Sequence, residues 1–474
     1  MVFSSSLFLL YFFPAFLILY YFSGKKLKNI TALIASIFFY AWGAPDFIFV
    51  VFASIIIDFY LVRKLYNSDS RKIRRILLSF SVILNIGLLA YFKYANFFIE
   101  NVNEICSHFG YSGISWINIA LPIGISFFSF QKVTYSVDVY RKVHKPLKKL
   151  SDYALYILMF PQLIAGPIVR YNEIADQIED RSANENIDNR LTGFFRFIIG
   201  LSKKVLIANV LGKEVDQIFA LSEIELTSYL AWMGVIAYTF QIYFDFSGYS
   251  DMAIGIGRMI GFKFPENFNN PYISQSITEF WRRWHITLGR WMKDYLYIPL
   301  GGNKVSPKRL YFNLWIVFLI SGLWHGAAWN FILWGAFHGF FLVADRLFLL
   351  KVYAKIGKFP SIAITFFITM IGWVLFRAEN LHESGIFLTK MFSFDFSQTS
   401  YFLNEKFFMI LLIAIFFSFW GIFKRIEIFQ NRIFFTKKRN VSMILMSAFA
   451  IIFLIISLTS ITSSDFNPFI YFRF

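Results

Sequence analysis

The 474-residue chain carries a formal net charge of +17, with 57% hydrophobic residues, 21% aromatics and 63 phenylalanines. That much apolar surface exceeds what a soluble domain can bury, so the composition excludes a soluble globular protein and indicates a polytopic membrane protein. In a soluble chain the positive charge would suggest nucleic acid; here the basic residues cluster between apolar runs, so no nucleic-acid partner is expected.

Spans need roughly 20 apolar residues each, and candidates centre at roughly residues 14, 36, 54, 84, 126, 160, 200, 240, 317, 340, 368, 413 and 452, two of them short or re-entrant. The first, Leu7 to Phe22, lacks the basic head and small-residue cleavage site of a secretory signal and is expected to be retained. Lys25, Lys26 and Lys28, then Arg63, Lys64, Arg71, Lys72, Arg74 and Arg75, mark cytoplasmic loops under the positive-inside rule and put the N-terminus outside. Arg141 to Lys149 is cytoplasmic by the same rule. Residues 1 to 100 otherwise read as scaffold without a polar constellation. The single Cys106 excludes an internal disulfide, and six histidines without HxxxH-like spacing predict no metal site.

Ala120 to Gln131 (ALPIGISFFSFQ) sets Pro122 and Gly124 in an apolar run leading to Gln131, Lys132, Tyr135 and Asp138. Such residues mark either a broken helix whose freed backbone lines a cavity or a kinked ordinary span. Phe160 to Tyr171 (FPQLIAGPIVRY) repeats the device around Gln162, and two such segments favour a cavity. In Gln241 to Asn270, Asp245 and Asp251 end a long apolar run; they orient a histidine, hold a Lys or Arg, or cap a helix. The glycines of GIGRMIG follow no strand, so helix packing accounts for them better than nucleotide binding.

Gln275 to Leu296 is the clearest amphipathic helix. Stepping about 100° per residue from Ile277 puts Phe280, Trp281, Trp284, Leu288, Trp291 and Tyr295 on one face, with Glu279, Arg282, Arg283, Arg290 and Lys293 opposite. A helix of this kind is expected to lie in the interface plane with its aromatic face toward the bilayer. Its cationic face suits either anionic membrane lipids or the phosphates of a cofactor. His285 falls at the edge of the apolar stripe, facing the bilayer or a protein cavity.

The chain is organised around Leu310 to Leu350, where two nearly uncharged runs flank Trp324 to Asn330 and place His325 at membrane depth. A buried ionisable group there is costly and is a functional candidate by default; the other reading is a histidine at the headgroup interface between two tryptophans. In one continuous helix His325 and His338 would lie about 20 Å apart and roughly 140° out of phase, so they could share a proton only if Gly326 breaks the helix. Pairing of His325 with His285 needs only that the two segments pack. A neutral imidazole beside a hydrogen-bonding partner is suited to take a proton from a hydroxyl near neutral pH. There is no GxSxG elbow, Walker loop or DxD-like pair, so proton abstraction from a hydroxyl with an activated acyl donor is the simplest chemistry left. A polysaccharide transporter or lipid-linked sugar flippase is the alternative, but it would require ion-coupling acids and an internal repeat, and no clear repeat is found. The terminal SSDFNPFIYFRF is too short to span and is expected to dock on the protein or the interface.

The runs MVFSSSLFLLYFFPAFLILYY, FDFSGYSDMAIGIGRMIGFKFPENFNNPY, FWRRWHITLGRWMKDYLYIPLGGN and LWHGAAWNFILWGAFHG together resemble the membrane-bound O-acyltransferases. More narrowly they resemble the bacterial branch of alginate O-acetyltransferase and PatA-type peptidoglycan O-acetyltransferase, with the D-alanyl transferase of teichoic acid systems more distant. The resemblance implies an all-α polytopic membrane protein: a ring of about eleven transmembrane helices, with re-entrant and interfacial helices around a central tunnel. The whole of 1–474 would form one domain, with a catalytic core at about 120–350 and an aromatic tail at 466–474. His325 would be the general base, and His285 the second polar residue across the tunnel. Trp324, Asn330, Gln131, Gln162, Asp245 and His338 are candidates to line that tunnel. The expected donor is cytoplasmic acetyl-CoA, with Arg282, Arg283 and Arg290 as phosphate contacts. The expected partner is a periplasmic or secreted polysaccharide O-acetyltransferase, and the expected location is the bacterial cytoplasmic (inner) membrane. The tail resembles an aromatic motif that carries an acyl group in the teichoic acid system, which makes Tyr471 a candidate acyl relay.

Overall fold

The structure is a computed structural model, and it describes residues 1–164, 166–397, 401–435, 440–463 and 466–468. No strand occurs among the described residues, and the helices form two compact units. The first comprises Met1–Asn186 with Ile260–Phe264. It contains α1 (Phe13–Phe22), α2 (Lys28–Gly43), α3 (Ile48–Asn67), α4 (Arg71–His108), α5 (Ile125–Tyr140), α6 (Leu150–Leu158), α7 (Phe160–Leu163) and α8 (Tyr171–Glu179). The break before α5 is real: Gly124 sits at φ 77°, and an added Cβ would run into the carbonyl oxygen of Leu163.

The second unit comprises Ile187–Met259 and Pro265–Phe474. It contains α9 (Ile187–Ser202), α10 (Asn209–Phe219), α11 (Ser228–Met259), α12 (Ile277–Arg283), α13 (Ile286–Met292), α14 (Pro307–His325), α15 (Trp329–Ala344) and α16 (Leu350–Ile356). It closes with α17 (Lys358–Arg377), α18 (Leu381–Phe392), α19 (Glu405–Phe419), α20 (Lys424–Phe435) and α21 (Asn440–Thr462).

Six helices among the described residues are long and apolar enough to cross a membrane: Pro45–Asn67, Arg71–His108, Trp329–Ile356, Lys358–Arg377, Glu405–Ile422 and Val441–Thr462. The protein is therefore a multi-pass membrane protein. The predicted span near residue 240 coincides with α11, whose polar residues are almost all buried within the protein and so face neighbouring helices, not lipid. Glycines set how close those neighbours come. A Cβ on Gly255 would meet the carbonyl of Gly193, and Gly248 and Gly200 oppose each other in the same way along α9. The glycines of GIGRMIG thus begin a close helix crossing, as small residues do in membranes.

Candidate active site

α14 and α15 form a tight hairpin because Gly322, Gly335 and Gly339 let the backbones approach; added Cβ atoms would meet Phe331, Phe318 and Trp315. The helix stops at His325, where Gly326 turns extended, and a Cβ on Gly326 would overlap the Phe331 ring. Gly326 therefore does break the helix. His325 is left as the last residue of α14, 7% exposed, with the rings of Trp324, Trp334 and Phe376 at 4.9, 5.1 and 5.2 Å, all close to edge-on.

The predicted helix Gln275 to Leu296 is not continuous. α12 ends at Arg283, Trp284 is extended, and His285 takes a left-handed conformation with φ 43° before α13 begins. A stretch of chain lies along the break and takes up its freed backbone groups. Asn269 N–H donates to the Arg283 carbonyl, and Ile286 N–H donates to the Asn267 carbonyl, both at 2.9 Å. A non-glycine residue in this conformation costs about 1 kcal/mol or more, which the surrounding bonds must hold in place. The aromatic face also differs from expectation: Phe280, Trp284, Leu288 and Trp291 are buried in protein, not turned toward the bilayer. Phe280 and Trp284 pack on Tyr272 and Trp373, because this unit supplies an aromatic core for that face.

The break aims His285 inward. Its Nδ1 lies 3.0 Å from Asn267 Oδ1, which also accepts from the Thr287 hydroxyl at 2.9 Å. Asn267 Nδ2 donates to Ser250 at 3.1 Å, so its oxygen is the atom turned toward the imidazole. Nδ1 therefore donates, and Nε2 is left as a basic nitrogen with no hydrogen-bond partner among the described residues. Trp324 neighbours both histidines, its ring 6.2 Å from His285 and 4.9 Å from His325.

His338 is fully buried beside Trp281 and Trp334, each 5.0 Å away, and neither of its nitrogens has a hydrogen-bond partner among the described residues. Gly372 makes room for it, since a Cβ there would come within 2.7 Å of Nε2. Asn330 donates to the carbonyls of Leu375 and Ala378, at 3.3 and 2.7 Å, and so ties α15 to the end of α17. Of the cationic face, Arg282 and Arg290 are exposed, and Arg283 bonds Glu279 at 2.8 Å.

The acids of α11 hold cations. Asp245 pairs with Lys204 at 2.6 Å, both nearly inaccessible, and Asp251 pairs with Arg196 at 2.6 Å and Lys203 at 2.7 Å. Lys204 also donates to the Pro468 carbonyl, and Asn209 bonds Asn467 at 3.1 Å. The segment leading into the tail is thus fixed beside the α11 charges. Tyr471 itself lies outside the described residues.

In the first unit, Gln131 and Gln162 are fully buried; Gln162 donates to the Tyr156 carbonyl, and neither amide atom of Gln131 meets a partner among the described residues. The expectation that residues 1 to 100 lack a polar constellation is overturned. Asp58 on α3 is fully buried and accepts from Ser81, Asn85 and Tyr153, while buried Lys132 donates to Ser54. An acid at mid-helix was the available signal; its partners come from other helices and were not readable from spacing. Asn267 was missed for the same reason.

The second unit therefore sets two buried imidazoles around one indole, one with its tautomer fixed by an amide, in an aromatic enclosure that limits water. That arrangement can take a proton from a hydroxyl and stabilise charge as it develops. Among the described residues no group of three His, Cys, Asp or Glu side chains could hold a metal ion.

The model of the MBOAT, membrane-bound O-acyltransferase family, matches residues 8–376. The chain is 45% identical over 401 residues to the probable alginate O-acetylase AlgI of Pseudomonas aeruginosa, covering 84% of this chain and 76% of that protein. It is 38% identical over 419 residues to the peptidoglycan O-acetyltransferase of Helicobacter pylori, covering 81% and 78%. It is 28% identical over 285 residues to the teichoic acid D-alanyltransferase of Bacillus subtilis, covering 56% and 71%.

Proposed function

The chain belongs to the membrane-bound O-acyltransferase family and is an O-acyltransferase, and from that premise we propose that it takes acetyl from cytoplasmic acetyl-CoA and delivers it across the membrane for O-acetylation of an extracytoplasmic polysaccharide. The observation that carries this reading is the pair of buried imidazoles around Trp324. In the proposed step a hydroxyl gives its proton to His325 while its oxygen attacks the thioester carbon. The C–S bond breaks, a C–O bond forms, and the proton returns to the departing thiolate. His285 offers its hydrogen-bonding edge to the same centre. Two relatives named for alginate and peptidoglycan O-acetylation support a polysaccharide as final acceptor.

Tyr471 is assigned the role of first acceptor and relay, with a separate periplasmic or secreted transferase taking the acetyl group onward. The anchoring of Asn467 and Pro468 beside Asp245 supports this by holding the start of the tail within the catalytic unit. Arg282, Arg283 and Arg290 are assigned to the donor's phosphates, and the chain is assigned to the bacterial inner membrane with its N-terminus outside, an orientation the basic loops support. The experiment is incubation of purified protein with acetyl-labelled acetyl-CoA, followed by gel autoradiography and peptide mass. Label on the tail peptide that disappears in Tyr471→Phe supports the relay; label that survives the substitution sinks it.

A further inference from the structure

The first unit carries an apolar groove between α1 and α2 that the acyl-transfer chemistry leaves unused. Its volume is about 600 Å³, within the range of roughly 300–1,000 Å³ typical of ligand sites. Tyr11, Leu19, Ile34, Phe38 and Trp42 form its walls and are each more than half exposed. Ala15 and Ala35 contribute only methyl groups and give it depth. At one end it stops at Ser23 and Thr31, whose hydroxyls bond each other at 2.7 Å.

Two residues beyond Ser23 the chain enters a polar pocket of about 370 Å³. Part of its charge is already committed, since Lys28 pairs with Glu185 and Arg181 lies 3.7 Å from the same carboxylate. Three exposed cations remain, Lys25, Lys26 and Lys149, with the exposed acids Glu179 and Asp180 on the same rim. The side chains of the three lysines and Glu179 make no hydrogen bond or ion pair among the described residues. An apolar trough with a pocket of both charge signs two residues along the chain from its Ser23 end matches a molecule with an acyl chain, a phosphate and an amine.

We propose that groove and pocket together bind one zwitterionic phospholipid of the phosphatidylethanolamine class, its acyl chain along α1 and α2, its phosphate on Lys25 and Lys26, and its ammonium on Glu179 and Asp180. Phosphate oxygens accept charge-assisted bonds from the lysines, and a primary ammonium returns three donors to the acids. A choline headgroup has no donor to give, and a glycerol headgroup carries no cation for the carboxylates.

The test is native mass spectrometry of the purified full chain with phosphatidylethanolamine, phosphatidylglycerol and phosphatidylcholine of matched acyl chains. Phosphatidylethanolamine should be retained over both others. Lys25→Gln and Lys26→Gln should lower retention of phosphatidylethanolamine and phosphatidylcholine alike by about fivefold per lysine, since both carry the phosphate, and Glu179→Gln should erase the preference for phosphatidylethanolamine over phosphatidylcholine. Ala35→Trp should reduce retention of all three by filling the trough; if that variant fails to fold, the exposed lysine and Glu179 variants decide alone. Equal retention of phosphatidylglycerol would mean a merely basic surface, and equal retention of phosphatidylcholine a merely apolar one. Either result, lysine variants that leave phosphatidylethanolamine retention unchanged, or a Glu179→Gln variant that keeps the preference, would overturn the proposal.

Discussion

His285 and Asn267, 18 residues apart in the chain, share a buried hydrogen bond of 3.0 Å that fixes which imidazole nitrogen carries the proton. Asn267 Oδ1 accepts from Nδ1, so Nε2 is the nitrogen left to act. Replacing Asn267 with Leu should lower kcat by roughly 100-fold, the scale of a misoriented acid–base group, with KM for the donor nearly unchanged. Asn267→Asp keeps an acceptor and should recover part of that loss. Steady-state kinetics of the two variants distinguish this from a general packing defect, which would lower both variants equally.

Gly326 is required by space, because a Cβ there would overlap the Phe331 ring, which packs on the Phe376 ring beside His325. Gly326→Ala should cost about 1–3 kcal/mol as overpacking and displace the imidazole. Adding Phe331→Leu should restore much of both stability and turnover. Thermal unfolding in detergent, run beside the transfer assay, reads both effects.

Asp251 holds the buried Arg196 and the partly exposed Lys203, whereas Glu279 pairs with Arg283 where both are partly exposed. Breaking the first takes away one of the two carboxylates that hold the buried Arg196, leaving Glu266, and should cost about 2 kcal/mol or more. Breaking the second should cost less than about 1 kcal/mol. Asp251→Asn and Glu279→Gln, compared by midpoint of unfolding, should therefore separate clearly.

In the loop after α5, burial pushes the His144 imidazole down, but the Lys145 carbonyl and the Asp176 carboxylate at 2.9 Å together raise it above its ordinary value of 6.5. A raised folded-state value means stability fully present below about pH 6.5 and lost as pH rises through the higher folded value. Asp176 is largely exposed, so the contribution should stay below about 1 kcal/mol. His144→Gln should flatten that slope in a pH series of unfolding midpoints without changing acyl transfer.

His325 was legible in the sequence because an ionisable residue interrupts an apolar run, and Gly326 beside it already offered a helix break. The break at His285 was not legible. Apolar spacing runs smoothly through Trp284, and the bonds that reward a left-handed His285 come from Asn267 and Asn269, which periodicity cannot pair with it. The same limit hid the burial of the aromatic face, since spacing shows that Phe280 and Trp284 share a side but not whether lipid or Trp373 covers it. Asp58 is the opposite case: the rule that picked out His325 applied to it equally, and only its partners needed the fold.

The central claim is that His325 removes the proton from the acceptor hydroxyl. Its most direct measurement is the initial rate of CoA release from acetyl-CoA by purified wild type, His325→Ala and the exposed control His382→Ala, with the acceptor system present. A fall of roughly 100-fold or more in His325→Ala, with His382→Ala unchanged and both variants folded, is the predicted result. A folded His325→Ala enzyme that keeps its rate within a few-fold of wild type would contradict it.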